Sequence, residues 1–95
     1  MKEISHATRK ELYKQIGMKQ NKQANVHHII FKSDVNRGLV DRHFPVSARA
    51  NLIPLPIVVH RELHELVERT PAYRTNIDSR IWLANYAFNG ELDLL

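Results

Sequence analysis

The sequence predicts an α+β fold in which two short strands near the middle carry a helix, with a further helix towards each end. Three observations lead there. Residues 26–31, "VHHIIF", form a β-branched run closed by an aromatic residue, and residues 51–57, "NLIPLPI", alternate apolar positions with two prolines. From residue 58 the apolar spacing changes to that of a helix. Ninety-five residues give one domain, spanning 1–95, with a modest core.

Thr8 followed by Glu11 has the spacing of a capping box, and Leu12, Tyr13 and Ile16 then give an apolar stripe that stops at Gly17. A first helix over about 8–17 follows. Residues 18–25, "MKQNKQAN", read as a polar connector, and Val26–Phe31 as a strand. Residues 32–50 hold Asp34, Asn36, Gly38, Asp41 and Pro45 without sustained periodicity, which predicts a long loop, of a length usually reserved for function. The prolines of 51–57 restrict that segment to a short or edge strand. Val59, Leu63, Leu66 and Val67 then form the inward stripe of a helix over 58–69, which Thr70-Pro71 terminates. Asp78 or Ser79 caps a last helix over about 79–89, ending near Asn89-Gly90. Leu12 of the first helix and Trp82, Tyr86 and Phe88 of the last are the candidate core residues of the domain.

The absence of cysteine excludes a disulfide framework and a cysteine-ligated zinc ribbon, so any metal is held by His, Asp, Glu or Asn. No apolar run approaches a membrane span, and the expectation is a cytoplasmic protein without a membrane partner. The net charge of +4 is uneven: residues 1–22 hold six Lys/Arg against two Glu, and residues 61–95 hold four against six acidic groups. This asymmetry predicts a polyanionic partner, with Lys10, Lys14, Lys19 and Lys22 supplying sequence-independent attraction to nucleic acid.

The histidines are the chemically informative residues. His27 and His28 are adjacent in a strand, so they point to opposite faces and cannot do the same job. His60 and His64 lie four apart on a helix, about 40° from each other around its axis, so both rings project from one face and can share a metal. A zinc-protease helix would carry Glu directly after the first histidine, whereas "HRELH" has Arg61 there. No serine has the context of a nucleophile elbow. His6 and His43 match no pattern.

Taken together, "VHHII", "ANLIPL" and "HRELH" resemble the three parts of an HNH endonuclease, the small ββα-metal fold of the colicin nuclease domains, over residues 26–69. Asn51 precedes His60 by nine residues, and His60 precedes His64 by four, which is similar to the colicin spacing. The chain lacks the Cys-x-x-Cys pairs that brace many members, and "SDVNRGL" stands where Gly-Gly often follows the first strand.

The resemblance implies a metal-dependent endonuclease that hydrolyses phosphodiester bonds, with DNA the expected partner. It implies His27, His60 and His64 as ligands of one divalent ion, His28 as general base, and Asn51 as the scaffold residue completing the catalytic set. Neutral nitrogen ligands suit Zn, Ni, Co or Mn better than Mg. Lys32, Arg37 and Arg61 are candidates for holding phosphate. Two readings stand beside this one: a ββα module that binds metal and nucleic acid without cutting, and a helical interaction protein whose histidines are coincidental.

Overall fold

A computed structural model describes residues 4–20 and 22–95. Lys2 and Glu3 of the basic segment, and Asn21 of the polar connector, lie outside the described residues. The architecture is α+β. Among the described residues the order is α1 (His6–Ile16), β1 (Ala24–His28), α2 (Lys32–Asn36), β2 (Leu52–Pro56), α3 (Ile57–Arg69), α4 (Pro71–Thr75) and α5 (Ile77–Phe88), with short 3₁₀ turns at Arg49–Asn51 and Leu92–Leu94. None of these helices is long and apolar enough to cross a membrane.

Helix α1 begins earlier than the expected capping box. Ser5 is its N-cap, and the Ser5 Oγ accepts from the Thr8 N–H at 3.2 Å, which places Thr8 inside the first turn. Gly17 ends it in the left-handed region at φ 63°, where its N–H and that of Met18 turn back onto the Lys14 and Tyr13 carbonyls.

The strands pair antiparallel, with His27 opposite Ile53 and Ala24 opposite Pro56. The ladder bonds Ile29 N–H to Asn51 O and Ile57 N–H to Gln23 O, so the odd-numbered positions of β2 face β1. Pro54 and Pro56 therefore sit where β2 needs no N–H, which is how a strand with two prolines pairs at all. Strand β1 is displaced from the expected 26–31: it begins at Ala24, inside the expected connector, the chain bends after His28, and Phe31 becomes the N-cap residue of α2.

The sheet is covered on both faces. Helix α1 packs on both strands, and α3 packs on both from another side, joined at β2 by α5. Leu55, Leu63, Val67, Leu83 and Ala87 form the main core cluster, while Leu12 and Tyr13 bury the inner side of α1. Trp82 and Phe88 are not core residues: they are 46% and 44% exposed, because α5 turns Leu83, Ala84 and Ala87 inward instead. The expected cap of α5 also moves. Asn76 holds that position, its Oδ1 accepting from the Ser79 N–H at 3.0 Å.

The segment expected as a loop contains α2, and α2 carries a buried ion pair. Asp34 Oδ1 lies 2.6 Å from Arg80 Nη2 on α5, both side chains almost wholly buried. Asp34 Oδ2 accepts from the Phe31 N–H at 2.6 Å, and the Arg80 guanidinium carbon lies 4.6 Å from the centre of the Phe31 ring. The contact is ionic rather than an aligned hydrogen bond, since neither Arg80 Nη2 nor Asp34 Oδ1 meets hydrogen-bond geometry despite their closeness.

Removing one member of a buried pair leaves the other charge uncompensated, which costs about 3–5 kcal/mol. Asp34→Ala and Arg80→Met are each expected to lower unfolding free energy by about that amount, and the double variant by less than the sum. Strict additivity in urea denaturation would show that the two side chains do not sense each other.

Candidate metal centre

Strand β2 passes into α3 without a connecting residue, Pro56 ending one element and Ile57 beginning the next. This fixes the rotational phase of α3 on the sheet. Alternation along β1 directs Asn25 and His27 to the face shared with Ile53 and Leu55, against which α3 lies. His60 and His64, on successive turns of α3, meet His27 there: ring centres lie 5.1 Å from His27 to each and 4.6 Å between the two.

One ring nitrogen from each histidine lies within 4.8 Å of the others. His60 Nε2 and His64 Nε2 are 3.0 Å apart, a distance at which two lone pairs repel unless a proton or a cation lies between them. Tetrahedral nitrogen ligands at ~2.0–2.1 Å from zinc stand roughly 3.3 Å apart, so the trio is on the scale of a three-histidine metal site. His27 is 3% exposed and its Nδ1 has no hydrogen-bond partner. The donor set is uniformly imidazole, which suits a transition-metal ion better than Mg.

The three imidazole rings are held by neighbours that sequence reasoning did not single out. Asn25 Nδ2 lies 3.5 Å from His60 Nδ1; with the amide turned over, its oxygen accepts from Nδ1–H and leaves Nε2 free for a metal. Phe31 stacks on His64 at 5.4 Å and 17°, and stands edge-on to His27 at 5.9 Å. Asp34 and Arg80 hold Phe31 in turn, so an ion pair from two other helices reaches the histidines through one ring. Asn25 was legible as the residue two before His27 on the same strand face; Arg80 gave no signal in the sequence.

Burial is the main electrostatic influence on the trio. It lowers the His27 pKa from 6.5 to about 2, aided by His60 and His64, and lowers that of His60 to about 4, aided by His64. His64 is also lowered by burial, against an upward pull from Glu68. All three are therefore neutral at pH 7, the form in which imidazole binds metal.

His28 points to the other face of β1, towards α1, yet it borders the same cavity of about 250 Å³ as His60 and His64, because β1 ends at this residue. Its pKa is lowered by burial and then by Arg9. Asn51 is buried, and its amide closes the loop beside this cavity: Oδ1 accepts from Ile30 N–H at 2.8 Å, while Nδ2 donates to Ile30 O at 2.9 Å and Val46 O at 2.8 Å.

The basic candidates separate. Lys32 borders the histidine cavity. Arg37 borders a neighbouring cavity with Arg74 and Arg80, and its Nη2 donates to the Arg74 carbonyl at 2.7 Å. Arg61, Lys10, Lys14, Lys19 and Lys22 are exposed and line neither these cavities nor the larger one beside them. Comparison with protein-family models, curated proteins and solved structures gives no match.

Two expectations follow. The folded pKa of His27 lies below its unfolded value of 6.5, so the unfolded chain binds more protons between the two values. Stability of the metal-free protein is then complete above pH 6.5 and declines as pH falls, His27 alone removing about 2 kcal/mol between pH 6.5 and 5. Urea denaturation in chelator at both pH values reads this directly, and equal stability at the two contradicts a buried neutral His27. Asn25→Ala is expected to weaken zinc affinity by about tenfold or more with the fold intact, as loss of a ligand-orienting partner does. Calorimetric affinity equal to wild type would remove Asn25 from that role.

Proposed function

We propose that this chain is a metal-dependent endonuclease of the HNH type, built on a ββα-metal motif over residues 26–69 and hydrolysing phosphodiester bonds in nucleic acid, DNA foremost. The observation that carries the reading is the convergence of His27 from a strand with His60 and His64 from the helix that continues its partner strand. The resemblance of "VHHII", "ANLIPL" and "HRELH" to that family supports it.

In this reading His27, His60 and His64 would hold one divalent ion, which would supply charge relief to the phosphodiester. His28 is the base. Its neutral imidazole removes a proton from a water as the water oxygen bonds to phosphorus, and the ester P–O bond breaks. The departing oxygen leaves as a hydroxyl after taking a proton from solvent. Lowered basicity keeps His28 unprotonated at neutral pH. Asn51 acts only through backbone, fixing Ile30, two residues after His28, and Val46, which lines the cavity. Lys32 supplies a positive charge beside the phosphate position.

A plasmid-nicking assay supplemented with Zn, Ni, Co, Mn or Mg tests the reading, with nicking expected and its loss expected on adding chelator. His28→Ala is expected to keep the metal and its melting temperature while nicking about 10² to 10⁴ times more slowly. His27→Ala is expected to lose metal and activity together. The acid limb of kcat/KM should lie below pH 6.5, since a base with a lowered pKa stays active further into acid. Metal uptake without nicking under any of these ions would leave a binding module, and His28→Ala cutting at the wild-type rate would end the base assignment.

A further inference from the structure

The largest cavity described is not the histidine pocket but its neighbour, a cleft of about 630 Å³ between the start of α1, α2 and the 42–48 segment. Its size is that of a small-molecule or nucleotide site, which runs about 300–1,000 Å³. Lys32, Arg42 and His43 are among its polar lining residues, and Val35, Phe44 and Val46 among its apolar ones. No acidic side chain borders it among the described residues. Lys32 and Val46 also line the histidine cavity, so the two spaces meet along a shared wall.

Arg42 is oriented rather than loose. Its Nε–H donates to His43 Nε2 at 3.2 Å, and the His43 N–H donates to Asp41 Oδ1 at 2.7 Å, which ties the nearby carboxylate to the loop backbone. A half-buried aromatic ring beside two cations is what an unpaired nucleotide requires, a face for its base and charge for its phosphates. A duplex does not match this wall as well, because its base faces are stacked on one another and only phosphates and groove edges are presented.

We infer that this cleft binds single-stranded nucleic acid, seating one base against Phe44 with the adjoining phosphates on Lys32 and Arg42, and so leads an unpaired strand into the histidine cavity. The inference rests on the nuclease reading for the purpose of the strand, and its test is made separable from it. His43, without a role in the sequence pattern, becomes the residue that aims Arg42.

The test is fluorescence anisotropy of the full chain in chelator, so that nothing is cut, with three labelled probes of equal length: oligothymidine, its abasic counterpart and a blunt duplex. Oligothymidine is expected to bind on the order of tenfold tighter than either of the others, the factor that stacking of one base supplies. Phe44→Leu and Arg42→Gln should each remove roughly that factor for oligothymidine and leave the duplex unchanged, with melting temperatures like wild type. Equal affinity for the abasic or duplex probe overturns the inference, as does oligothymidine binding indifferent to Arg42→Gln, which alters no core residue. Cleft binding that persists in a protein unable to nick upholds the cleft and strikes the nuclease reading. Nicking by a protein whose oligothymidine binding ignores both substitutions does the reverse.

Discussion

The buried amide of Asn51 is the constraint on which the arrangement around the histidines depends. Between β1 and β2 the chain runs through more than twenty residues with only a five-residue helix and a 3₁₀ turn of regular structure. Such a segment has no ladder of its own to set its course. Three short hydrogen bonds from one side chain bind it at Ile30 as it leaves β1 and at Val46 before it enters β2. Because these groups are buried, each bond is made in a low-dielectric setting where an unpaired partner would be costly, so the amide specifies one path rather than several. Val46 walls both the histidine cavity and the cleft beside it, which makes the shape of each a consequence of that path.

A second constraint comes from the other end of the chain. Arg80 belongs to α5, forty-six positions after Asp34, yet the pair fixes the first turn of α2 and the Phe31 ring that precedes it. Burying both charges gives little net stabilisation by itself. Its effect is specificity: the carboxylate holds the Phe31 backbone while the guanidinium covers the ring, and that ring presses on His64 and meets the edge of His27. The same packing removes water from His27 and suppresses its charged form, so tight burial and a neutral imidazole arise from one arrangement.

What the sequence made legible follows from locality. The junction near residue 57, the termination of α3 before Pro71 and the common face of His60 and His64 are all decided by neighbours within one or two turns, and spacing alone reveals them. The end of α5 shows the limit. Trp82, Tyr86 and Phe88 look like core by hydrophobicity, but α5 meets its neighbours through Leu83, Ala84 and Ala87, since small residues allow close approach of the helix. Helix α2 was hidden for another reason. Five residues show no period, and its stabilising partner Arg80 is remote in sequence. Phe31 and Arg80 around the site were invisible likewise, because each acts through a tertiary contact that no spacing rule encodes.

The chemistry of the donor set adds a last step. Three imidazoles bring no charge to an ion they hold, whereas each carboxylate ligand would cancel one unit of it. A divalent ion on His27, His60 and His64 would keep its full double charge, beside Lys32 and without a carboxylate in the ligand cluster. Loaded in that way, the centre would draw in and polarise an anion. Three protein ligands also leave coordination positions open, the feature that separates catalytic from purely structural sites. In the proposed reading the neutral trio and Lys32 act on the same class of ligand, an oxyanion, and His28 at the strand's end is the group that would use a phosphodiester.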